Sequence, residues 1–372
     1  MTTQEQIETV IVGAGQAGLS TAYHLKRRGR ELIILDGNAR VGDNWRRQWD
    51  SLRLYSPARY DGLPGLPFPG TPWSFPGKDD LADYLESYAA ALELPVRTRT
   101  RVERLVPRDG GGYRITTPTG VLDCENVVVA TGSFGRTPYV PTFAAGLSPE
   151  ILQMHSSQYR RPNQLGDGPV LVVGASHSGT DIAYEVALTH QTTLAGRDCG
   201  QIPPRLESPA MRAIFPAIVF GWRHVVTRGN PIGRKAMPHI RFHGAPMLRV
   251  KRSDLAARGV HRVLERVEGV RDGRPALGDG TVFDVSTVIW CTGFRQVFDW
   301  IELPVFGQDG WPREYRGVVD EAPGLYFCGL AFQYGFGSMV LPGVGRDADY
   351  IARRIEAQAS RHTAVTREQL TA

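Results

Sequence analysis

The chain has 372 residues, with 43 Lys and Arg against 38 Asp and Glu, a formal charge of +5. That length can bury one large core or two medium ones. The charge is small, dispersed and almost all arginine, whereas a nucleic-acid protein concentrates its basic residues on one element. The four cysteines, Cys124, Cys199, Cys291 and Cys328, form no C-x-x-C pair. This removes a local redox dithiol or a cysteine metal cluster and fits free thiols in a reducing compartment.

In chain order, "MTTQEQIETV" is polar, without a basic start or an apolar signal core, and reads as cytoplasmic. The run Val10-Ile11-Val12 then predicts a strand, followed by Gly13-Ala14-Gly15-Gln16-Ala17-Gly18 and a helical segment, "LSTAYHLKRRG". Gly13 makes the tight turn, Gly15 lets backbone approach a pyrophosphate, and Gly18 packs helix on strand. A second apolar strand, "ELIIL", ends in Asp36, whose carboxylate can accept hydrogen bonds from a ribose diol.

A second unit of the same kind starts at "VLVVGASHSGTDIAYEVA", with Gly174, Ser176, His177, Ser178 and Gly179 in the loop. Ser176 stands where the middle glycine is usual. Asp36 lies 23 residues beyond Gly13, and the residue 23 beyond Gly174 is Arg197. "VVVATG" and "VIWCTG" end at Gly132 and Gly293, each 119 residues beyond the first glycine of its own unit. A carboxylate suits a free ribose diol, while arginine suits a 2′-phosphate. The first loop is therefore expected to hold FAD and the second NADPH; the alternative for Arg197 is a surface arginine at a strand end. Between the second loop and "VIWCTG", the stretch "IPPRLESPAMRAIFPAIVFGWRHVV" departs from the alternating pattern as a helical excursion. It reads as the wall of a substrate tunnel or as extra core, with contact at a membrane surface a third reading. Its apolar run "MRAIFPAIVFGW" is too short to span a bilayer. "RHVVTRGNPIGRKAMPHIRFHGAPMLRVKR" is the densest basic region, read as a solvated face or a funnel for cofactor phosphate.

With both loops in place, the chain from Val10 to about Ile355 resembles the flavin-dependent monooxygenases of the class with two dinucleotide domains, and above all the short bacterial CzcO-like flavoproteins. The likeness rests further on "VGDNWRRQWDSLRLYSPARYDGLPGLPFPG", "VVVATGSFGRTPYVP", "MHSSQYRRP", "VIWCTGF" and "PGLYFCGLAFQYGFGSMVLPGVGRDADYIA". It implies an α/β fold of two Rossmann-like domains: a discontinuous FAD domain, residues 1–160 and 287–372, and an inserted NADPH domain, 165–286, with the excursion near 200–250. By resemblance, Trp45 lies along the flavin, Val102 sits in the strand that meets the adenine, and Ala130, Thr131, Gly132, Thr292 and Gly293 form the crossings between domains. Arg346 and Asp347 open a helix toward the flavin or cap it, Ser56 lies toward the isoalloxazine and Gln333 on its substrate side as the candidate catalytic residues, and His155 is a linker hinge. Asp43 replaces the second glycine of the family's Gly-Gly-x-Trp element.

The implied activity is NADPH-dependent monooxygenation: hydride passes to FAD, O2 is activated as a C4a-(hydro)peroxyflavin, and one oxygen goes to a small amine, sulfide or carbonyl substrate. The alternatives are an oxidoreductase without oxygen insertion and a redox-sensing flavoprotein that is not an enzyme. Small-molecule substrate and O2 are the expected partners. Nucleic acid, stable membrane insertion and a metal are not expected, and the assembly is left between monomer and homodimer.

Overall fold

Strands buried on both faces read as unbroken apolar runs, and helices then cover them from both sides. In the computed structural model, residues 4–133 and 137–371 are described, with side chains for 5–133 and 137–360. Residues 134–136 of "VVVATGSFGRTPYVP", and residues 1–3 and 372 of the expected first domain, lie outside the described residues.

The first unit begins with β1 (Gln4–Val12), α1 (Gln16–Lys26) and β2 (Leu32–Leu35). It continues through the short α2 (Asp43–Arg46), α3 (Lys78–Ala91), β3 (Val96–Arg97), β4 (Arg104–Pro107), β5 (Tyr113–Thr117) and β6 (Gly120–Val129). β7 (Thr137–Pro138) and β8 (Leu152–His155) lead to the second unit, β9 (Val170–Val173), α4 (His177–Val186) and β10 (Thr192–Ala195). The helical excursion follows as α5 (Pro209–Phe220) and α6 (Pro231–Phe242), then α7 (Arg252–Ala257) and β11 (His261–Val263). The chain closes with β12 (Val267–Arg271), β13 (Arg274–Leu277), β14 (Thr287–Trp290), β15 (Phe294–Arg295), β16 (Leu325–Phe327) and α8 (Leu341–Thr371).

Two sheets result. The first runs β3-β2-β1-β6-β5-β4, with β16 also on β6. Its parallel part is β3, β2, β1, β6 and β16, while β4 and β5 fold back antiparallel on the first half of β6. The second sheet is parallel throughout, in the order β11-β10-β9-β14-β8. Each sheet takes its fifth parallel strand from beyond its own unit: β16 follows the second unit, and β8 precedes it.

The expected boundaries at 160 and 287 shift accordingly. Leu152–His155 and Thr287–Trp290 hydrogen-bond into the second sheet rather than the first. β7 and β15 pair antiparallel and tie the two crossings together.

Leu19 and Leu25 of α1, with Ile351 and Ile355 of α8, are fully buried against one face of the first sheet. Each such side chain contributes roughly 1.5–3 kcal/mol relative to exposure. In the excursion, Pro216 and Pro238 sit inside α5 and α6. Each removes a backbone N–H from its helix, and a π-turn at 221–225 follows α5.

Candidate active site

After β1 the chain turns at Gly13 (φ +109°), whose N–H donates to the Leu35 carbonyl at 2.7 Å. A Cβ at Gly13 would lie 2.7 Å from the Ala130 oxygen, and one at Gly18 would lie 1.9 Å from the Gly13 oxygen. Both positions require glycine. Gly15, the N-cap of α1, has φ −85° and nothing within 4 Å of a built Cβ. Backbone there faces open space at a helix N-terminus, whose free N–H groups and positive dipole end suit a phosphate. Gln16 and Ala17 form the first turn; the Gln16 amide donates to the Met339 carbonyl at 3.1 Å, and Ala17 is buried beneath Gly329. Asp36 follows β2 directly. One carboxylate oxygen accepts the Ala14 N–H and the other the Asn38 N–H, both at 2.7 Å. Each oxygen keeps a lone pair for a ribose hydroxyl.

The second loop repeats this frame. Gly174 (φ +111°) donates to the Ala195 carbonyl at 2.8 Å, and a Cβ there would lie 2.3 Å from the Cys291 oxygen. At Gly179 a Cβ would lie 1.7 Å from the Gly174 oxygen. Ser176 has φ −92° and ψ −166°, against −85° and −174° at Gly15, so serine sits in the middle position without strain. Its hydroxyl donates to the Ala245 carbonyl at 2.9 Å, so a strap of residues 244–247 lies on this loop. His177 and Ser178 open α4. Burial pushes the His177 pKa down to about 4, against the opposing effect of the hydrogen bond that the imidazole donates to the Pro246 carbonyl. The imidazole lies 4.9 Å from the Tyr55 ring.

Arg197 is displaced by one position from its expected equivalence. The Gly13 N–H reaches Leu35 and the Gly174 N–H reaches Ala195; the next residues, Asp36 and Gly196, donate to Arg97 and Val263 of the third strands. Gly196 is thus the counterpart of Asp36, because the second unit reaches its strand end one residue sooner. Gly196 has φ +147°, and a Cβ there would lie 3.1 Å from the Ala175 nitrogen, which leaves a carboxylate little room. Arg197 follows, exposed, beside Asp198, which pairs with Arg252 at 2.5 Å and Arg262 at 3.7 Å. The second strand end therefore presents Arg197 next to an acid that two further arginines engage.

The crossings also match. Gly132 (φ +77°) and Gly293 (φ +84°) both face open space after Ala130-Thr131 and Cys291-Thr292. The Thr131 hydroxyl is buried without a partner, while that of Thr292 donates to the Tyr139 carbonyl. His155 is buried, with one ring nitrogen 3.0 Å from the Gly293 oxygen and the other 2.9 Å from the Ser157 hydroxyl. Trp45, on α2, packs against a core of each unit. Asp43 fits because it lies inside this helical turn, and it is Gly42 (φ +88°) that needs the left-handed conformation. Val102 is not in a strand; it precedes β4 and packs half-buried on the first-unit core.

The substrate-side assignments are altered most. Ser56 donates to Asp61 at 2.5 Å, a fully buried carboxylate that the sequence did not flag. Burial raises the Asp61 pKa to about 7 in spite of that hydrogen bond, and its second oxygen has no partner. The neighbouring Tyr55 points the other way, to Asp181 of α4 at 2.9 Å. Gln333 is fully buried, its side-chain oxygen accepting the Leu330 N–H at 3.3 Å and its amide nitrogen turned toward Gly317, so it shapes its own loop. Arg346 and Asp347 do not open α8, which starts at Leu341; they stand in its second turn, too late to cap it. Asp347 pairs with Arg346 at 3.1 Å and keeps one buried oxygen unpartnered. From the excursion, Arg228 reaches Glu314 at 2.6 Å and the Gln333 carbonyl at 2.9 Å, and Arg241 reaches the Ala331 carbonyl at 3.1 Å. These struts brace residues 331–333 from α6 and the turn before it.

The residues of the first loop fit a flavin dinucleotide: open backbone at Gly15, a carboxylate at Asp36, and unpartnered buried acceptors on Thr131 and Asp347 around them. Residues 10–205 match the family described as pyridine nucleotide-disulphide oxidoreductase, more than half of the chain, and the chain belongs to that family. Within it, the chain groups with the class B flavin-dependent monooxygenases and their CzcO-like relatives. It is 35% identical over 353 residues to a CzcO-like oxidoreductase of Geobacillus kaustophilus, covering 95% of this chain and 99% of that one. To an indole-3-pyruvate monooxygenase of Oryza sativa it is 29% identical over 398 residues, covering 95% and 94%. A flavin-containing monooxygenase structure from Stenotrophomonas maltophilia superposes with a TM-score of 0.76 at 26% identity, covering 95% and 99%. The family implies a flavin and a nicotinamide cofactor, and the two sheets are its two Rossmann-like units.

Proposed function

We propose that the chain is an NADPH-dependent FAD monooxygenase acting on a small organic substrate. The observation that carries this reading is the asymmetry of the two strand ends: a buried carboxylate at Asp36, against Gly196 followed by Arg197 with Arg252 and Arg262 nearby. Asp36 and the N-terminus of α1 hold the adenosine and pyrophosphate of FAD. Arg197 and its neighbours hold the 2′-phosphate that distinguishes NADPH from NADH. FAD, when bound, supplies the redox and oxygen chemistry. The net reaction consumes NADPH, a proton and O2; one oxygen atom enters an amine, sulfide or carbonyl substrate and the other leaves as water.

The protein's part is to position and to exclude water. Met211, Phe215 and Val219 bury one face of α5 beside Phe75 and Leu206, and Trp222 packs on Phe336, 4.9 Å between ring centres, roofing the loop that Arg228 and Arg241 brace. Asp61, whose buried carboxyl is raised to about 7, is a group able to hold or release a proton beside Ser56. A cytoplasmic location accords with the reducing compartment that four free cysteines suit.

The test has two arms. Arg197→Ala is expected to raise the KM for NADPH about 10- to 100-fold, the worth of a lost charged hydrogen bond, while leaving the KM for NADH within about twofold and flavin content intact. Equal effects on both nucleotides would overturn the NADPH assignment. Oxygen-18 from labelled O2 should appear in the product of a coupled substrate. NADPH oxidation that yields only hydrogen peroxide across an amine, sulfide and ketone panel would favour an oxidoreductase without oxygen insertion.

A further inference from the structure

α5 is apolar on both faces. Met211, Phe215 and Val219 are buried in a small cluster with Phe75 and Leu206. On the opposite side Ala210, Ala213, Ile214, Pro216, Ala217 and Phe220 are all exposed, Ile214 at 42% and Phe220 at 60%. Spacings of three and four residues place 210, 213, 214 and 217 on one stripe that Phe220 extends. A surface helix normally turns charge to solvent; here Arg212 is the lone charge on the helix. Val225 and Ile232, just beyond it, are exposed as well, at 39% and 62%.

The charge pattern of this region is equally one-sided. From Ser208 to Ser253 the chain contains nine Arg and Lys and no Asp or Glu, although over its whole length the two signs nearly balance. The inward cations are engaged: Arg228 and Arg241 on Glu314, and Arg249 on Glu207. Arg212 on α5 and Arg234 and Lys235 on α6 are exposed, while Arg223 donates to the Pro342 carbonyl.

We propose that this face docks on an anionic lipid surface, with α5 lying in the plane of the interface. Ile214 and Phe220 enter the boundary between headgroups and acyl chains, and the exposed cations meet lipid phosphates. Both properties of the face, apolar and cationic, find their complement on an anionic bilayer. A second copy of the chain would satisfy the apolar stripe but would set two acid-free cationic surfaces against each other. Among the described residues no helix is long and apolar enough to cross a membrane, so the contact is peripheral.

Sedimentation of the full-length flavoprotein with vesicles of phosphatidylcholine, with and without phosphatidylglycerol, tests this. Binding is expected with phosphatidylglycerol present and should weaken as salt rises. Replacing two cations, Arg234→Gln with Lys235→Gln, should weaken it about 25-fold, at roughly fivefold per cation. The pair Ile214→Ser with Phe220→Ser should abolish it. Unchanged circular dichroism and NADPH oxidation in both variants keep a folding defect separate from a docking defect. Absence of binding, equal binding to neutral vesicles, or binding that survives both pairs of substitutions overturns the proposal. So does a dimer in analytical ultracentrifugation that the serine pair dissociates without any vesicle binding, which would give the face to a second copy.

Discussion

Gly13 and Gly174 turn the chain through the same left-handed conformation, and Gly18 and Gly179 press on the carbonyls of those same residues at the same close range. The loops part company at the middle position. Gly15 faces open space, whereas Ser176 carries a hydroxyl bonded to a strap from the excursion. Of the three glycines in such a loop, the outer two are demanded by chain packing, and the middle one answers only to clearance for the ligand. A serine there leaves the frame of the second loop intact and changes only what can approach it. The strand ends differ in the same sense, with Asp36 tying the first loop to its strand and Gly196 leaving that place empty of charge.

The sharpest way to break this comparison is to add a methyl group at matched positions. Gly18→Ala and Gly179→Ala each force a Cβ to within 2 Å of a backbone oxygen, 1.9 Å and 1.7 Å respectively. Relief requires the helix to move, at a cost of about 3 kcal/mol or more. Gly18→Ala should purify with almost no flavin, read from absorbance per mole of protein. Gly179→Ala should retain flavin yet lose nicotinamide-dependent reduction in stopped flow. Flavin loss from both variants would mean that the two loops do not serve separate ligands.

Much of this frame was legible because glycine spacing reports backbone contact directly: the repeat of 119 residues to Gly132 and Gly293 corresponds to crossings in the same hydrogen-bonded positions. Counting failed where a connection changes length. Arg197 is one residue past the counterpart of Asp36, and only the strand register shows it. The boundaries near 160 and 287 were hidden for another reason: β8 and β14 are short apolar strands whose sheet is chosen by tertiary pairing, not by composition. The substrate side was the least readable. Asp61 has no flanking pattern, and its burial depends on segments that meet only in the fold. The span of α8 likewise hid that Arg346 and Asp347 lie a turn inside it.

An effect of similar size divides Tyr55 from Ser56, adjacent residues that serve different units, one bonded to α4 and the other to Asp61. Burial raises the Asp61 pKa to about 7, with the Ser56 hydrogen bond opposing. The folded value lies above the unfolded one, near 3.9. The stability it contributes is therefore full below about pH 4 and is lost as pH rises through 7. Asp61→Asn removes that loss, so in urea titrations the variant should gain on the parent by roughly 4 kcal/mol between pH 4 and pH 8. The KM for NADPH should stay the same if the pair belongs to the first unit alone. A shift in that constant would join Ser56 and Asp61 functionally to the second loop.

The smallest change restores in the second loop what the first one has. Ser176→Gly deletes the hydroxyl that holds the Ala245 carbonyl and gives both loops the same middle residue. Losing one neutral hydrogen bond should lower stability by about 0.5–1.5 kcal/mol. If the strap lies where the pyrophosphate must meet α4, the bond is broken each time the nucleotide enters, and breaking it beforehand tightens binding by the same energy. The KM for NADPH should then fall about two- to tenfold, with flavin content unchanged. A rise instead would show that the Ser176 hydroxyl serves the phosphate more than the strap, and the two loops would then differ in how they hold a ligand rather than in how they admit one.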